Sequence, residues 1–402
     1  MKRWDADKIE AWQHENLQKL INDAYQNTVY YKELFDELGI KPGDIKTKED
    51  LEKIPVLTRQ IIIDNFDKLV SRKVKSIPHT RATTGGTTGT PMTYLLDNSS
   101  WSFTNADYIV NWERTAYNFG DKHLALGGSS LFGFSPTSLK HKIYYALKGR
   151  IKLDGMQLSD NVLKSYAELL KKKKIKYIYG YASSMYLLAK YILDNNIFVT
   201  VNACFPTSEI LTDHYRETII QAFKCKIVNS YGANDGGITA FEHRKGCFEV
   251  GYNVLMRVDG KQSKGPLLLT NLLNYAMPMI NYQVGDAIKI KEQVMDYNGQ
   301  IIEELYGRTS SILKLNNGNI LTGFGMQSAL FQLPIQAWNL EQIDGNNLLC
   351  KVIRKAGFKA SDEAILISKL KEYAGDGIGI EVKYFDRFEL TSSGKRNYFM
   401  NE

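Results

Sequence analysis

A stretch of nine residues, 83–91, contains three glycines and five threonines. It reads Thr83-Thr84-Gly85-Gly86-Thr87-Thr88-Gly89-Thr90-Pro91. Glycine tolerates positive φ angles and close approach of a ligand, so such a loop can turn its amide N–H groups toward an anion. The threonine hydroxyls add hydrogen-bond donors for phosphate oxygens. The pattern predicts a phosphate-binding loop, and an ordinary flexible turn is the alternative.

Two common phosphate-binding loops do not fit this stretch. A Walker loop places Lys and then Ser or Thr directly after its last glycine, whereas Gly89 is followed by Thr90 and Pro91. A dinucleotide fingerprint has the spacing Gly-x-Gly-x-x-Gly, which Gly85, Gly86 and Gly89 do not provide. The loop is therefore of another type.

Four further stretches place charged side chains beside glycines. Asp235 lies in Ser-Tyr-Gly-Ala-Asn-Asp-Gly-Gly (230–237), and Asp286 ends Tyr-Gln-Val-Gly-Asp (282–286). Gly307-Arg308 follows, and Lys395 ends Thr-Ser-Ser-Gly-Lys (391–395). Taken singly, each has a structural explanation as a helix cap, a turn, a surface charge or a solvated tail residue.

The order of these stretches resembles that of the motifs in adenylate-forming enzymes: Thr/Gly loop, Tyr-Gly-x-x-acid, Gly-Asp, Gly-Arg and Ser-Gly-Lys. Three other segments resemble the phenylacetate–CoA ligase and capsule-biosynthesis branch of that superfamily. They are Tyr-Tyr-Lys-Glu-Leu-Phe (30–35), Lys-Ile-Pro-Val-Leu-Thr (53–58) and Pro-Met-Ile-Asn-Tyr (278–282). The resemblance covers nearly the whole chain and does not specify a substrate.

The resemblance implies a role for each stretch. Lys395, Thr88 and Asp235 would be catalytic, with Asp235 holding Mg²⁺, and Lys395 would offset charge between the carboxylate and the α-phosphate. Asp286 would accept hydrogen bonds from the ribose hydroxyls. The remaining nucleotide contacts would come from Thr84, Gly85, Gly86, Thr87, Gly89, Ser208, Glu209, Tyr231, Gly232, Asn234 and Arg308. The loops 127–134 and 180–184 would shape the acid pocket, with Gly128, Phe132, Tyr181 and Ser183 in its wall.

The chain departs from the family pattern at several positions. Asn234-Asp235 stands where Thr or Ser followed by Glu is usual, and Asn281 replaces a common Arg. Ser310-Ser311 stands where an Asp commonly marks the hinge. Segment 296–300 lacks the Cys-x-Cys of a structural zinc site, and His243 with Cys247 supplies only two ligands. We therefore expect ATP and Mg²⁺, with CoA as a candidate acceptor, and no structural zinc.

The elements that must position these residues are predicted from hydrophobic periodicity. Helical patterns predict a first helix over about 17–39, and a turn at 42–44 separates it from a second helix that ends near 51. A third helix is predicted over 59–70, with Thr58 as its N-cap. Strands at 92–96, 124–126, 177–179, 199–205 and 226–229 alternate with helices at 99–117, 162–170, 186–193 and 214–223. This alternation favours a doubly wound α/β core, in which ligands lie beyond the carboxyl ends of the strands.

After about residue 246, the predicted pattern changes from alternating strands and helices to strands joined by turns. The last eighty or so residues are predicted to form strand–turn–strand (340–353), helix (363–373) and strand (378–385). We expect an α/β fold with a large N-terminal adenylation domain, 1–307, which includes a helical region, 1–75. A small mobile α+β lid domain, 308–402, would carry Lys395.

The composition of the chain limits the classes of partner that we expect it to bind. The formal net charge of +7 is mild for 402 residues, and the basic run at 171–176 fits a solvated helix end better than a nucleic-acid site, because no aromatic residues interleave with it. The chain lacks an apolar run of membrane-spanning length and a signal-peptide pattern. We expect a cytoplasmic enzyme without nucleic-acid or membrane partners, and leave its oligomeric state open, a dimer included.

The sequence predicts an ATP-dependent ligase that forms an acyl-adenylate and transfers the acyl group to CoA or an amine, in surface-polysaccharide or secondary metabolism. A degenerate nucleotide-binding protein of the same fold is the first alternative. A phosphotransferase is the second, although the absent Walker lysine counts against it. The acid, the acceptor and the pathway are not specified.

Overall fold

The computed structural model describes residues 4–84, 92–127, 143, 145, 147–155, 158–259, 263–291, 299–308, 312–315, 320–322, 330, 333–344, 347–375, 377–386 and 399–400. Its helices, numbered here in chain order, are α1 (Ala6–Asn27), α2 (Val29–Leu38), α3 (Arg59–Asp64), α4 (Phe66–Leu69), α5 (Asn98–Glu113), α6 (Asp160–Lys173), α7 (Ala182–Asp194), α8 (Asp213–Phe223) and α9 (Ala360–Ala374). None of these helices combines the length and the apolar composition that a bilayer-spanning segment needs.

The described strands are between two and ten residues long. They are β1 (His79–Thr84), β2 (Met92–Asp97), β3 (His123–Gly127), β4 (Arg150–Asp154), β5 (Tyr177–Tyr181), β6 (Ala203–Thr207), β7 (Lys226–Ile227), β8 (Ser230–Ala233), β9 (Ile238–Arg244), β10 (Cys247–Val250), β11 (Val254–Val258), β12 (Lys264–Asn271), β13 (Tyr282–Lys291), β14 (Ile301–Arg308), β15 (Ile312–Lys314), β16 (Ile320–Thr322), β17 (Ile335–Asp344), β18 (Asn347–Arg354), β19 (Gly379–Tyr384) and β20 (Phe399–Met400).

The N-terminal region is helical, but its predicted first helix is divided in two. Thr28 is extended, and its hydroxyl accepts a hydrogen bond from the Tyr31 amide, which begins α2. Thr58 caps α3 in the same way through the Ile61 amide, as predicted. The helix expected over 59–70 is interrupted at Asn65, and the one expected to end near 51 is a pair of 3₁₀ turns, Pro42–Asp44 and Glu49–Lys53.

A five-stranded parallel sheet in the order β4-β3-β5-β6-β7 forms the centre of the first half. One face is covered by α6, α7 and α8, whose apolar side chains form a core with the strand residues. Strand β6 begins four residues later than predicted, and Val199 and Val201 pack in the preceding connection. The opposite face carries an aromatic layer of Trp112, Tyr117, Tyr177, Tyr179, Phe205 and Phe241.

A seven-stranded antiparallel sheet in the order β11-β12-β13-β14-β10-β9-β8 packs beyond that layer. Its apolar side chains share one core with the N-terminal helices and with the hairpin β1–β2. The parallel and antiparallel sheets together give the mixed α/β class that the sequence predicted, with a parallel sheet at its core.

The C-terminal region contains a four-stranded sheet in the order β19-β18-β17-β20, packed on α9. The hairpin β17–β18 and the helix confirm the predicted strand–turn–strand and helix pattern. Strands β15 and β16 pair in antiparallel register, and the residues between them lie outside the described ranges.

Candidate active site

The carboxyl ends of β5 and β6 bring two predicted site segments together. Tyr181 and Thr207 are partners in the parallel register. The Ser183 amide, in the first turn of α7, donates a 2.8 Å hydrogen bond to Glu209 Oε2 in the loop after β6. An acid at this position also suits the positive end of the α7 dipole. Tyr181, Ser183, Ser208 and Glu209 therefore lie in one region, while Gly128 and Phe132 lie outside the described residues.

The backbone of these strands is packed closely below the loops. Gly180 has a φ of +146°, and a Cβ atom added there would lie 1.8 Å from the Leu126 carbonyl oxygen. A side chain at position 180 would therefore push β5 away from β3. Ser208 has a φ of +65°, a left-handed conformation uncommon for serine, at the position expected beside the adenine.

The Asp286 carboxylate is held by the hydroxyl of Tyr231. The hydroxyl donates a 2.6 Å hydrogen bond to Asp286 Oδ2, and the two residues are only 9% and 7% exposed. The contact joins β8 to β13, which three strands separate in the sheet order. A flat sheet would hold strands that far apart at about 19 Å, so this sheet curls until its edge strand β8 approaches β13.

The Asp235 carboxylate is likewise held by a tyrosine hydroxyl, that of Tyr282. The hydroxyl of Tyr282, the first residue of β13, donates a 2.9 Å hydrogen bond to Asp235 Oδ2 in the turn after β8. Each acid is thus bound by the tyrosine of the other motif. The two motifs, 230–237 and 282–286, converge on one site although about fifty residues separate their acids in the sequence.

The threonine-glycine loop begins and ends beside Asp235. Thr84 and Met92 are partners in the β1–β2 register, so the intervening segment, 85–91, leaves and returns at one place. Met92 Sδ lies 3.9 Å from the Tyr282 hydroxyl that binds Asp235. Thr87, Thr88 and the three glycines lie outside the described residues, and Thr84 is the one predicted loop contact within them.

The charge of Asp235 also reaches the strand that follows the loop. Burial raises the pKa of the Tyr94 hydroxyl above its usual range, and the Asp235 carboxylate raises it further. Tyr94 therefore stays protonated and neutral beside the acid at physiological pH. Asn234 and Gly232 sit on the same turn and strand: the Asn234 carbonyl accepts from the Gly237 amide, and Gly232 pairs with Thr239.

Arg308 is placed opposite Asp286. The two are partners in the antiparallel register of β13 and β14. The neighbouring Gly307 has a φ of +83°, and a Cβ atom there would lie 3.5 Å from Ile210 Cδ1 in the segment that follows Glu209. The predicted Gly-Arg motif thus lies beside both the acid and the Ser208-Glu209 loop. Lys395 lies outside the described residues.

Tyr108 of α5 connects the two halves of this region. Its hydroxyl faces the side chains of Thr207, Ser230 and Tyr179, and burial raises its pKa. Thr207 ends a strand of the parallel sheet, and Ser230 begins the last strand of the antiparallel sheet. Tyr108 therefore links the end of β6 to the start of β8.

Comparisons with known proteins identify similar sequences and similar folds. No family model matches the chain. Over 97% of its length it is 24% identical to protein CapK of Staphylococcus aureus, with 88% of that protein covered. A shorter match, 31% identity over 100 residues, links it to the phenylacetate-coenzyme A ligase of Aromatoleum evansii, covering 24% of this chain and 22% of that one. The chain is thus similar to proteins of the adenylate-forming superfamily, in its phenylacetate–CoA ligase and capsule-biosynthesis branch.

Solved structures share the fold. A 2-hydroxyisobutyryl-CoA ligase in its postadenylation state superposes with a TM-score of 0.74 at 14% identity, covering 99% of this chain and 90% of that one. The O-succinylbenzoate coenzyme A synthetase of Bacillus subtilis, solved with ATP and a magnesium ion, gives a TM-score of 0.58 at 12% identity, covering 79% and 68%. The architecture of the chain is therefore shared with these ligases although sequence identity is low.

The oxygen ligands that the described side chains offer fit a magnesium site with few protein ligands. Within the described ranges, no group of three or more His, Cys, Asp or Glu side chains is placed to hold a metal ion. Mg²⁺ commonly needs only one or two carboxylates, because phosphate oxygens and water complete its coordination. Asp235, partly exposed beside the ends of the loop, is a side chain of the required kind.

Three side chains of the site were missed from the sequence. Tyr282 was read as part of a motif without a role, although it binds Asp235. Tyr108 was predicted only as part of the helix over 99–117. Arg59 was predicted only as the first residue of a helix, yet its Nη1 donates a 2.7 Å hydrogen bond to Thr84 Oγ1. None of these contacts has a local sequence signal, because each depends on how distant elements pack.

Proposed function

We propose that this protein is an AMP-forming ligase that uses ATP to convert a carboxylic acid into an acyl-adenylate and then transfers the acyl group to an acceptor. The crossed pair of hydrogen bonds, Tyr231 to Asp286 and Tyr282 to Asp235, is the observation that carries the proposal. It supports one nucleotide site built from both acidic motifs, beside the ends of the threonine-glycine loop.

The chain's own residues have distinct tasks in this proposal. Asp286 accepts hydrogen bonds from the ribose hydroxyls through a carboxylate whose orientation Tyr231 fixes. Thr84 and the following loop bind the phosphates through hydroxyl and amide donors. Ser208 and Glu209 lie beside the adenine, and Arg308, opposite Asp286, adds a positive charge near ribose or phosphate.

Activation of the acid brings two anions together, so catalysis depends on positioning and charge neutralisation. Asp235 would hold Mg²⁺, which supplies positive charge at the phosphate oxygens when bound. Lys395, in the small C-terminal domain, would stabilise the charge that develops between the carboxylate and the α-phosphate. Movement of that domain, 308–402, would then withdraw Lys395 and admit the acceptor.

The acceptor is a thiol such as CoA or an amine. The similarity to phenylacetate-coenzyme A ligases supports CoA as the acceptor. The similarity to CapK supports the further proposal that the protein acts in surface-polysaccharide assembly. Tyr181, Ser183, Gly128 and Phe132 are proposed for the wall of the acid pocket.

AMP release across a panel of carboxylic acids, with CoA or amines as acceptors, tests the proposal. Acid-dependent exchange of labelled pyrophosphate into ATP supports the adenylate before any acceptor is added. ATP binding without exchange for any acid would instead favour a non-catalytic nucleotide-binding protein. Release of ADP in place of AMP would contradict the proposed chemistry.

A further inference from the structure

Arg59 is held next to the strand that carries Asp286. The preceding Leu57 forms a parallel bridge with Tyr282. In that bridge the Leu57 amide donates to the Asn281 carbonyl at 3.1 Å, and the Gln283 amide donates to the Leu57 carbonyl at 3.0 Å. Thr58 then caps α3, which Arg59 begins. Backbone hydrogen bonds therefore fix the position of Arg59 relative to β13.

The side chain of Arg59 crosses from this anchor to the start of the threonine-glycine loop. Its Nη1 donates a 2.7 Å hydrogen bond to Thr84 Oγ1, and both residues are partly buried. Thr84 is the last described residue before 85–91 and the register partner of Met92 on the far side of that segment. A guanidinium carries five N–H donors and remains charged at any pH at which the protein is folded.

We infer that Arg59 is a positioning residue of the nucleotide site: it fixes Thr84, and thereby the entry of the phosphate-binding loop, and it places a permanent positive charge beside the bound triphosphate. This inference rests on the proposed function, because it assigns Arg59 to the same ATP site. The part of ATP that Arg59 would help to bind is the polyphosphate, and not the nucleoside.

The test compares two ligands on the full-length chain by isothermal titration calorimetry: ATP, which carries the triphosphate, and adenosine, which lacks it. Arg59→Gln removes the charge, and Arg59→Lys keeps the charge but replaces the planar fork by a single ammonium group. Lys68→Gln is the matched control, because Lys68 lies on nearby α4, pairs with Glu33 on the exposed surface and loses the same charge.

We expect Arg59→Gln to weaken ATP binding by about tenfold or more, the size of one lost hydrogen bond to a charged group. Adenosine affinity should stay unchanged, so the ratio of the two affinities should fall. Arg59→Lys should give an intermediate ratio, and Lys68→Gln the wild-type ratio. If Arg59→Gln does not fold, as judged by circular dichroism, Arg59→Lys alone decides.

A wild-type ratio in the folded Arg59 variants would overturn this inference and leave the proposed function standing. An equal loss for ATP and adenosine would also overturn it, because it would indicate a general disturbance of the fold. If the wild-type chain binds neither ligand, the proposed function fails together with the inference. Thr84→Val adds a check: its effect and that of Arg59→Gln should be less than additive, since both remove one contact.

Discussion

The replacement of Tyr231 by phenylalanine tests the crossed arrangement most directly. The change removes one hydroxyl, and that hydroxyl binds a carboxylate in a pair that is more than 90% buried. A buried hydrogen bond to a charged group contributes about 1.5–3 kcal/mol, and a buried acceptor left without its donor adds a desolvation penalty. We therefore expect Tyr231→Phe to lower the free energy of unfolding by about 2 kcal/mol at neutral pH.

Tyr282→Phe provides the matched comparison, because it also removes a tyrosine hydroxyl that donates to an aspartate. That aspartate, Asp235, is more accessible to water than Asp286. Water can replace the lost donor there, so the expected loss is below about 1 kcal/mol. Tyr30→Phe is the control, since the Tyr30 hydroxyl makes no hydrogen bond in the described part of the chain. Urea unfolding followed by circular dichroism measures all three. A Tyr231→Phe chain as stable as wild type, or less affected than Tyr282→Phe, would refute the crossed arrangement.

Four further outcomes are expected. Asp286→Asn should weaken ATP and adenosine binding alike by about tenfold, because the ribose loses a charged acceptor, and calorimetry measures it; a loss confined to ATP would contradict the ribose role. Lys395→Ala should slow pyrophosphate exchange about 10²- to 10³-fold with ATP affinity retained, and an unimpaired variant would remove Lys395 from the mechanism. Gly180→Ala should lower the melting temperature markedly, because its methyl group collides with the Leu126 carbonyl, whereas Gly43→Ala, with open space at that position, should not. Burial, and then the Arg150 charge, lowers the pKa of His123 to about 4, so folded His123 stays neutral while the unfolded chain gains a proton below about pH 6.5. The free energy of unfolding should therefore fall by up to about 3 kcal/mol between pH 6.5 and pH 4. In urea unfolding at several pH values, His123→Gln should reduce that fall, whereas His14→Gln, at an exposed position, should not.

The sequence predicted much of this fold because its local signals agree with the packing. Thr58 was identified as an N-cap from its position before an apolar periodic run, and its hydroxyl does accept from the Ile61 amide. Strand β4 was missed although Arg-Ile-Lys-Leu-Asp alternates in the period of an edge strand. Strand β6 was placed too early because Val199 and Val201 are apolar for packing against helices and not for pairing.

The site was predicted less completely for a physical reason. Resemblance to known motifs identified Asp235 and Asp286, and the structure places them in one region. The tyrosine that holds each acid comes from the other motif, across a sheet that curls over three intervening strands. The curvature of the sheet depends on how the whole sheet packs on its neighbours, so no local sequence pattern predicts it. The contact from Arg59 to Thr84 was invisible for the same reason.

The N-terminal segments find their partners only after most of the chain has been made. Tyr31 bonds with the backbone of Pro278 and Ile280, and Asn281 donates to Ile54, 227 residues earlier in the chain. At ordinary ribosomal rates, that separation corresponds to roughly ten seconds or more. During this interval the apolar faces of α1 and α2 have no sheet to cover them. Folding during synthesis should therefore leave the first sixty residues open to chaperones until β13 emerges.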